Sequence, residues 1–436
     1  LVQSVADQDA TTRASYGAAG ATIGTGAGVL AGLLFMLGVY ALNGKTLRKR
    51  IKRDSHKDES YWDILKMILL VVTPFILSTG IYNINNFMDN RIYQQIMMGV
   101  RGLDEASVAA DLSVVSKGTK ISNIPIAFAS AMSTALIPGI SSDFARGKLK
   151  GVREKVAKAL KVTMLISIPC AVGIGVLAKP VMMVIFPQPD SLEIASLLLS
   201  GMAVSIVFYG LSTLTQGILQ SIGRMKAPII NASLAVVLHG AAMVLMMLFL
   251  DEKYSLYYYV FATVLYALIL CVLNQISVHR HLVYRQELFR TFFLPVGASA
   301  VMGAAAFGIY QGVYYVSGIN ILSLGLASVS GALLYFVLVI RWRAVSEEEL
   351  RQMPKGHLLL ALARKLRILK ADPDGGKKKP RAGSGTKKRK DTGKSGASKS
   401  QKTRSAEKKK ETVTTQTRRF YQDQIDEDDD DFWLDD

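Results

Sequence analysis

Long apolar runs separated by short polar segments occupy the chain up to about Ile340. A bilayer core takes about 20 residues of helix, so uncharged apolar stretches of this length are typical of membrane-spanning helices. The runs lack the alternation of apolar and polar residues that the strands of a membrane barrel show. The pattern therefore predicts an all-α integral membrane protein, a polytopic helical bundle. The nine predicted spans are residues 16–42, 64–88, 121–140, 160–178, 192–219, 228–250, 254–278, 292–314 and 319–340.

The last two spans lie in one uncharged stretch. From Thr291 to Ile340 the chain contains no Asp, Glu, Lys or Arg. A single helix of this length would be too long for a bilayer, even if it were tilted. The segment Ser317-Gly318-Ile319-Asn320 has the composition of a turn, so we place the boundary between the two spans there.

Lysine and arginine are concentrated in alternate connections between the spans, at residues 45–57, 146–158, 224–226 and 280–290. Because cytoplasmic loops carry the excess of basic residues, these connections and the C-terminus are predicted to be cytoplasmic. With nine crossings, residues 1–15 are then outside. The chain starts at Leu1 and its first residues do not form a signal peptide, so we expect it to lack an odd number of upstream spans.

Composition changes after the last span. The chain has 436 residues, is 50% hydrophobic and carries a formal net charge of +18, yet Lys, Arg, Ser, Thr and Gly dominate beyond Lys377. We predict a transmembrane region at 1–345, an amphipathic helix in the membrane interface at 346–371, and a disordered cytoplasmic tail at 372–436. The tail is basic and then acidic. Its basic part is of a kind that binds anionic lipid or nucleic acid, but charge blocks are more often solvated extensions, and we expect no nucleic-acid partner.

Polar side chains inside the spans are the candidates for a functional site, because such groups are costly in lipid and usually face a cavity or a partner helix. In the second and third spans they recur at helical spacing and form one stripe on each helix. The second-span stripe consists of Tyr82, Asn85, Asn86 and Asp89, flanked by Asn83. The third-span stripe consists of Lys120, Asn123, Ser130 and Thr134, with Ala129, Ala131 and Ser133 as small packing residues on the other side. We interpret the second-span stripe as the lining of a cavity.

Two later spans carry isolated polar residues. Gln216 and Gln220 in the fifth span are consistent with either helix packing or a cavity. The sixth span contains Asn231 and His239. A single histidine in an otherwise apolar helix favours a packing residue with satisfied hydrogen bonds over a proton site.

The part of the chain before Ile340 contains no P-loop, HExxH, CxxC or Gly-rich dinucleotide motif. We therefore predict no enzyme activity, catalytic residue, cofactor or metal. Prolines, glycines and amides within the helices instead favour a transporter with a cavity that opens alternately to each side.

Several segments resemble bacterial polysaccharide flippases akin to the stage V sporulation protein B group. They are ISNIPIAFASAMSTALIPGISS (121–142) with the basic loop after it, YGAAGATIGTGAGVLAGLLF (16–35), INNFMDNRIY (84–93) and GLSTLTQGILQSIGRMKAPIINA (210–232). The resemblance covers about residues 10–345 and indicates the multidrug/oligosaccharidyl-lipid/polysaccharide exporter superfamily. It implies a MATE-like fold of fourteen spans with two six-helix lobes and two extra helices, of which the nine spans here would be the sixth to the fourteenth.

The resemblance also implies a function. The family's substrates are undecaprenyl-pyrophosphate-linked glycans, including the peptidoglycan precursor, which are moved across the bacterial cytoplasmic membrane by alternating access to a cationic cavity. Lys120, with Lys117 beside it, would then meet the pyrophosphate. Asp89 would either serve a coupling ion or pair with Arg91 or Arg101 at the outer surface.

Two alternatives remain open. A drug or cation antiporter of the same fold would favour buried acidic residues, and the spans are nearly free of them. A membrane glycosyltransferase or polymerase would need a catalytic external loop. The predicted loop from Asn90 to Thr119 is a weak candidate for one, with Arg91, Arg101, Asp104, Glu105 and Asp111.

Overall fold

The computed structural model describes residues 10–51, 60–187, 189–284, 286–342 and 344. Within these residues the chain forms ten α-helices and no β-strand. The helices are α1 (Ala10–Ile51), α2 (Tyr61–Gly99), α3 (Glu105–Ala145), α4 (Leu149–Val176), α5 (Ala178–Ile185), α6 (Leu192–Ser221), α7 (Lys226–Phe249), α8 (Ser255–Leu282), α9 (Leu294–Ser317) and α10 (Asn320–Arg341). The predicted interfacial helix at 346–371 and the tail at 372–436 lie outside the described residues.

Eight segments of the described chain are long and apolar enough to cross a membrane. They lie in α1, α3, α4 and α6 to α10, and they correspond to eight of the nine predicted spans. The predicted span 64–88 lies within the continuous helix α2, which is not among the eight and whose side chains are only partly described. The prediction of an all-α polytopic membrane protein is confirmed.

The turn between the last two spans is also confirmed. Helix α9 ends at Ser317, Gly318 follows with φ of +64°, and α10 begins at Asn320. A positive φ is nearly free of strain for glycine because it has no Cβ, and glycine commonly ends helices in this way.

The predicted external loop at 90–119 is wrong. Helix α2 continues to Gly99 and α3 already begins at Glu105, so residues 100–104 make the connection. Apolar side chains on this stretch, including Ile96, Met97, Val108 and Val115, are buried in one cluster. The charged residues between them had suggested a loop, but one apolar face is enough to hold these turns in a helix. Asp104 accepts the Ser107 N–H at 3.0 Å as N-cap of α3, and its hydrogen bonds with Ser107 lower the pKa of the Asp104 carboxyl.

The described residues divide into two compact units, one that ends at Leu70 and one that begins at Val71. The first contains α1 and the start of α2. In the second, α6 is the central helix and packs against α3, α4, α5 and α8. Helix α7 packs against α8, and α9 packs against α4 and α10. A largely apolar helix is expected at such a central position, because neighbours cover it on several sides.

Glycines allow α3 and α4 to approach α6 closely. A methyl group added at Gly210 would lie 2.8 Å from Ser167 Oγ of α4 and 3.7 Å from Ala129 Cβ of α3. One added at Gly217 would overlap Ser133 Oγ of α3 and lie 3.2 Å from its Cβ. Ala129 and Ser133 are therefore packing residues, as predicted, while Ala131 is exposed.

Candidate functional site

Two residues of the predicted second-span stripe lie one helical turn apart on α2 and are buried. Asn85 and Asp89 are each 1% exposed, and Asn85 Nδ2 donates to Asp89 Oδ2 at 3.1 Å. Asn86, on the same stripe, is exposed. Tyr82 is within α2, but its side chain is outside the described part. The stripe is therefore divided into a buried pair and an exposed amide.

The partner of Asp89 is His239 of α7. Its Nε2 lies 2.7 Å from Asp89 Oδ1, and its Nδ1 lies 3.0 Å from the backbone carbonyl oxygen of Ala235. His239 is fully buried. The sequence correctly indicated a histidine with satisfied hydrogen bonds, but it did not show that the bond is to the buried carboxylate of another span.

Two tyrosines of α8 lie close to this pair, one beside His239 and one bonded to the residue after Asp89. The Tyr266 ring lies edge-on to His239, with 5.0 Å between the centroids. Tyr259 donates its hydroxyl hydrogen to Asn90 Oδ1 at 2.9 Å. One turn further along α2, Tyr93 donates to Asp111 Oδ2 of α3 at 2.8 Å. A row of polar contacts thus joins α2 to α3, α7 and α8.

Arg91 and Arg101, the two arginines suggested as partners of Asp89, do not pair with it. The Arg101 guanidinium donates to the carbonyl oxygens of Met247, Leu248 and Leu250, at 2.9, 3.2 and 2.7 Å, and so closes the C-terminal end of α7. Arg91 is exposed. In the structure the partner of Asp89 is therefore His239, and not an arginine.

The residues of the third-span stripe lie on one exposed face of α3. Lys120, Asn123, Ser130 and Thr134 are all exposed, and the Thr134 hydroxyl donates to the Ser130 carbonyl oxygen at 3.0 Å. The opposite face, with Gly118, Ser122, Pro125 and Ala129 among its members, is buried. Lys117 is partly buried and makes interactions of its own.

The remaining polar residues belong to the packed interior. Gln216 and Gln220 of α6 are partly buried and have partners. Asn231 of α7 donates through Nδ2 to Asn274 Oδ1 and to Ser277 Oγ of α8, both at 2.9 Å. Asn231 therefore joins two helices and is not part of the α3 face.

The described residues contain no group of three or more His, Cys, Asp or Glu side chains that could hold a metal ion. Two candidate sites remain, the buried pair of Asp89 on α2 with His239 on α7 and the polar row on α3. The link between Asp89 and His239 was not predicted. One acidic residue and one histidine in separate apolar spans are the signal that suggests it, because each needs a partner in a membrane.

Comparison with known proteins identifies the family of the chain. The family described as "Lipid II flippase MurJ" matches residues 4–325. A protein of Bacillus subtilis (strain 168) described as "Lipid II flippase MurJ" is 23% identical over 252 residues, which are 56% of this chain and 45% of the relative. This chain therefore spans about half the length of that relative.

A solved structure shows a similar fold. The structure described as "Lipid II flippase MurJ, inward closed conformation" has a TM-score of 0.50 at 19% identity. The aligned region covers 66% of this chain and 57% of the chain in that structure. A MATE structure in the bent conformation has a TM-score of 0.42 at 13% identity, and the aligned region covers 69% of this chain and 70% of the chain in that structure. The family match extends over most of the chain, from before α1 into α10. The chain belongs to the lipid II flippase MurJ family.

Proposed function

We propose that this protein translocates a lipid-linked peptidoglycan precursor of the lipid II class across the bacterial cytoplasmic membrane. The observation that carries the proposal is the family match over residues 4–325. In the proposed mechanism a polar cavity opens alternately to the two sides of the membrane, and the basic connections and the C-terminus are cytoplasmic.

The exposed row on α3 supports such a cavity. Lys120, Asn123, Ser130 and Thr134 lie on a helix that is otherwise apolar enough to cross a membrane. An ammonium and an amide are costly against lipid tails, so this face favours contact with water or with a polar surface. Lys120 is about four turns into α3. Its ammonium group suits a pyrophosphate, because charged donors form strong hydrogen bonds with phosphate oxygens.

The alternatives receive less support. The hypothesis of a glycosyltransferase or polymerase relied on an external loop at 90–119, but this stretch is mostly helical. The antiporter reading relied on a buried acid that captures a cation, and Asp89 instead lies 2.7 Å from His239. An acid that already has a partner is a poor ligand for a cationic drug.

We expect Lys120→Ala to reduce translocation about tenfold, the loss that corresponds to one charge-assisted contact with the substrate. The measurement uses the full product of the gene in proteoliposomes, with fluorescent lipid II and a reagent that modifies only the outer leaflet. Lys120→Arg keeps the charge and should retain most of the activity.

Lys150→Ala is the matched control, because Lys150 is an exposed lysine at the start of α4, away from the α3 row. It should leave the rate unchanged. Equal rates for the Lys120→Ala variant and the unmodified protein would remove Lys120 from the substrate path. No translocation by the unmodified protein would contradict the proposed function itself.

A further inference from the structure

We propose that Asp89 and His239 form a one-proton binding site that holds α2 against α7, and that loss of this proton opens the contact between the two helices. This inference does not depend on the transported substrate. It rests on the geometry of the pair, its burial and the polar atoms around it.

The two contacts of the His239 ring, each taken as a hydrogen bond, give the number of protons on the pair. The carbonyl oxygen of Ala235 only accepts, so the His239 Nδ1 that lies 3.0 Å from it carries a hydrogen. The contact of 2.7 Å between Nε2 and Asp89 Oδ1 then requires one more hydrogen between these two atoms. It resides either on the imidazole, which gives a charged pair, or on the carboxyl, which gives a neutral pair. Both arrangements hold the same number of protons, so the two side chains share a single proton.

Removing this proton reverses the interaction. With Nδ1–H still bound to Ala235, the lone pair of Nε2 faces the Asp89 carboxylate at 2.7 Å. His239 and Asp89 are 0% and 1% exposed, so little solvent screens this repulsion or the negative charge. A buried charge without a partner is strongly unfavourable. Separation of the helices, which admits water to the carboxylate, relieves this cost.

The other titratable groups around the pair keep their charge constant through the neutral range. On α8 these are Tyr266, edge-on to His239, and Tyr259, whose hydroxyl donates to Asn90. On α2 the next one is Tyr93, which donates to Asp111. Tyrosine has a reference pKa of about 10, so these hydroxyls remain protonated when an imidazole titrates. Asn85, which donates to the second carboxylate oxygen, does not titrate.

The polar atoms beside the pair are not fully used in this conformation. Within the described residues, Asn85 Oδ1 and the Tyr266 hydroxyl are buried and lack a hydrogen-bond partner. Buried polar groups are satisfied in the great majority of cases, and exceptions call for an explanation. Here the explanation is that these groups change partners between two states. Asn85 and Tyr266 can bond to water once the helices separate.

The test is the distance between α2 and α7 as a function of pH. Spin labels are placed at Phe87→Cys and Val237→Cys, two exposed positions close in sequence to the pair, in a Cys170→Ala, Cys271→Ala background. Distances are measured by double electron–electron resonance between roughly pH 5 and 9. We expect a longer distance to gain population as the pH rises, by up to about tenfold per pH unit for one proton.

Asp89→Asn removes the shared proton and retains a hydrogen bond, because its amide donates to the neutral imidazole. This variant should keep the short distance at every pH. The control is His281→Gln, a substitution at an exposed histidine of α8, which should retain the pH dependence of the labelled parent.

A second measurement avoids the cysteine background. The thermal unfolding midpoint of the purified protein should fall towards high pH in the unmodified chain and in His281→Gln, and should fall less in Asp89→Asn. A distance that does not change with pH would overturn the proposal. So would an identical pH dependence in the Asp89→Asn variant and its parent. Either result leaves the translocase assay, and with it the proposed function, untouched.

Discussion

Arg101 illustrates how a single side chain can stabilise a helix end in this protein. The last carbonyl groups of α7 have no partners within the helix, and the Arg101 guanidinium donates to three carbonyl oxygens there, at 2.7 to 3.2 Å. A cation at a helix C-terminus also interacts favourably with the helix dipole. Arg153 plays the same role for α8, since its Nε donates to the Leu282 carbonyl oxygen at 2.6 Å.

We therefore expect Arg101→Ala to lower the free energy of unfolding by about 2 kcal/mol, the scale of hydrogen bonds to a charged group. Thermal unfolding in detergent measures the change. Arg91→Ala, at an exposed arginine of α2, is the control and should have little effect. Equal midpoints for the two variants would show that the Arg101 contacts do not stabilise α7.

Between helices, stability depends on close approach rather than on hydrophobic burial alone, because lipid tails are as apolar as the helix surfaces. The contact of α3 with α6 shows this at Gly217, where a methyl group would overlap Ser133. The contact of α9 with α4 is similar, since a methyl group at Gly303 would lie 2.8 Å from Val172 Cγ1.

Gly217→Ala should destabilise the protein by about 1 to 3 kcal/mol through overpacking, despite the better helix propensity of alanine. The thermal midpoint and the yield of folded protein measure the loss. Ser133→Gly, added to the first change, removes the overlapping hydroxyl and should restore much of the stability.

Gly312→Ala is the control for this experiment, because nothing lies within 4 Å of a methyl group built there. It should leave the midpoint unchanged or raise it slightly. A destabilisation by Gly217→Ala that Ser133→Gly did not reverse would mean that another contact of α6 is responsible.

In the molecule as a whole, polar side chains of the helices are found both on an exposed helix face and buried between helices. The row on α3 is exposed, whereas Asn85 and Asp89 are buried between helices. If the α3 row lines a water-filled cavity, water-soluble reagents reach it in the membrane and do not reach exposed apolar positions such as Ile230, which then face lipid.

We expect a cysteine at Asn123 to react with a membrane-impermeant maleimide in intact membranes. A cysteine at Ile230 should remain unlabelled, and one at Asn85 should be labelled only when α2 and α7 separate. A cysteine at Asn123 that stayed unreactive from both sides, in a protein that still folded, would contradict a cavity at the α3 face.

The amino-acid sequence by itself determined the helical class, eight of the nine predicted spans and the turn at Gly318, because bilayer thickness and the cost of polar groups in lipid act on local stretches of chain. It also placed Lys120, Asn123, Ser130 and Thr134 on one face, since helical periodicity is local. The tertiary structure alone decided that residues 90–99 and 105–119 are helical, because their apolar face becomes visible only when other helices bury it. It alone paired Asp89 with His239, since 150 residues separate them and only packing brings their atoms within 2.7 Å.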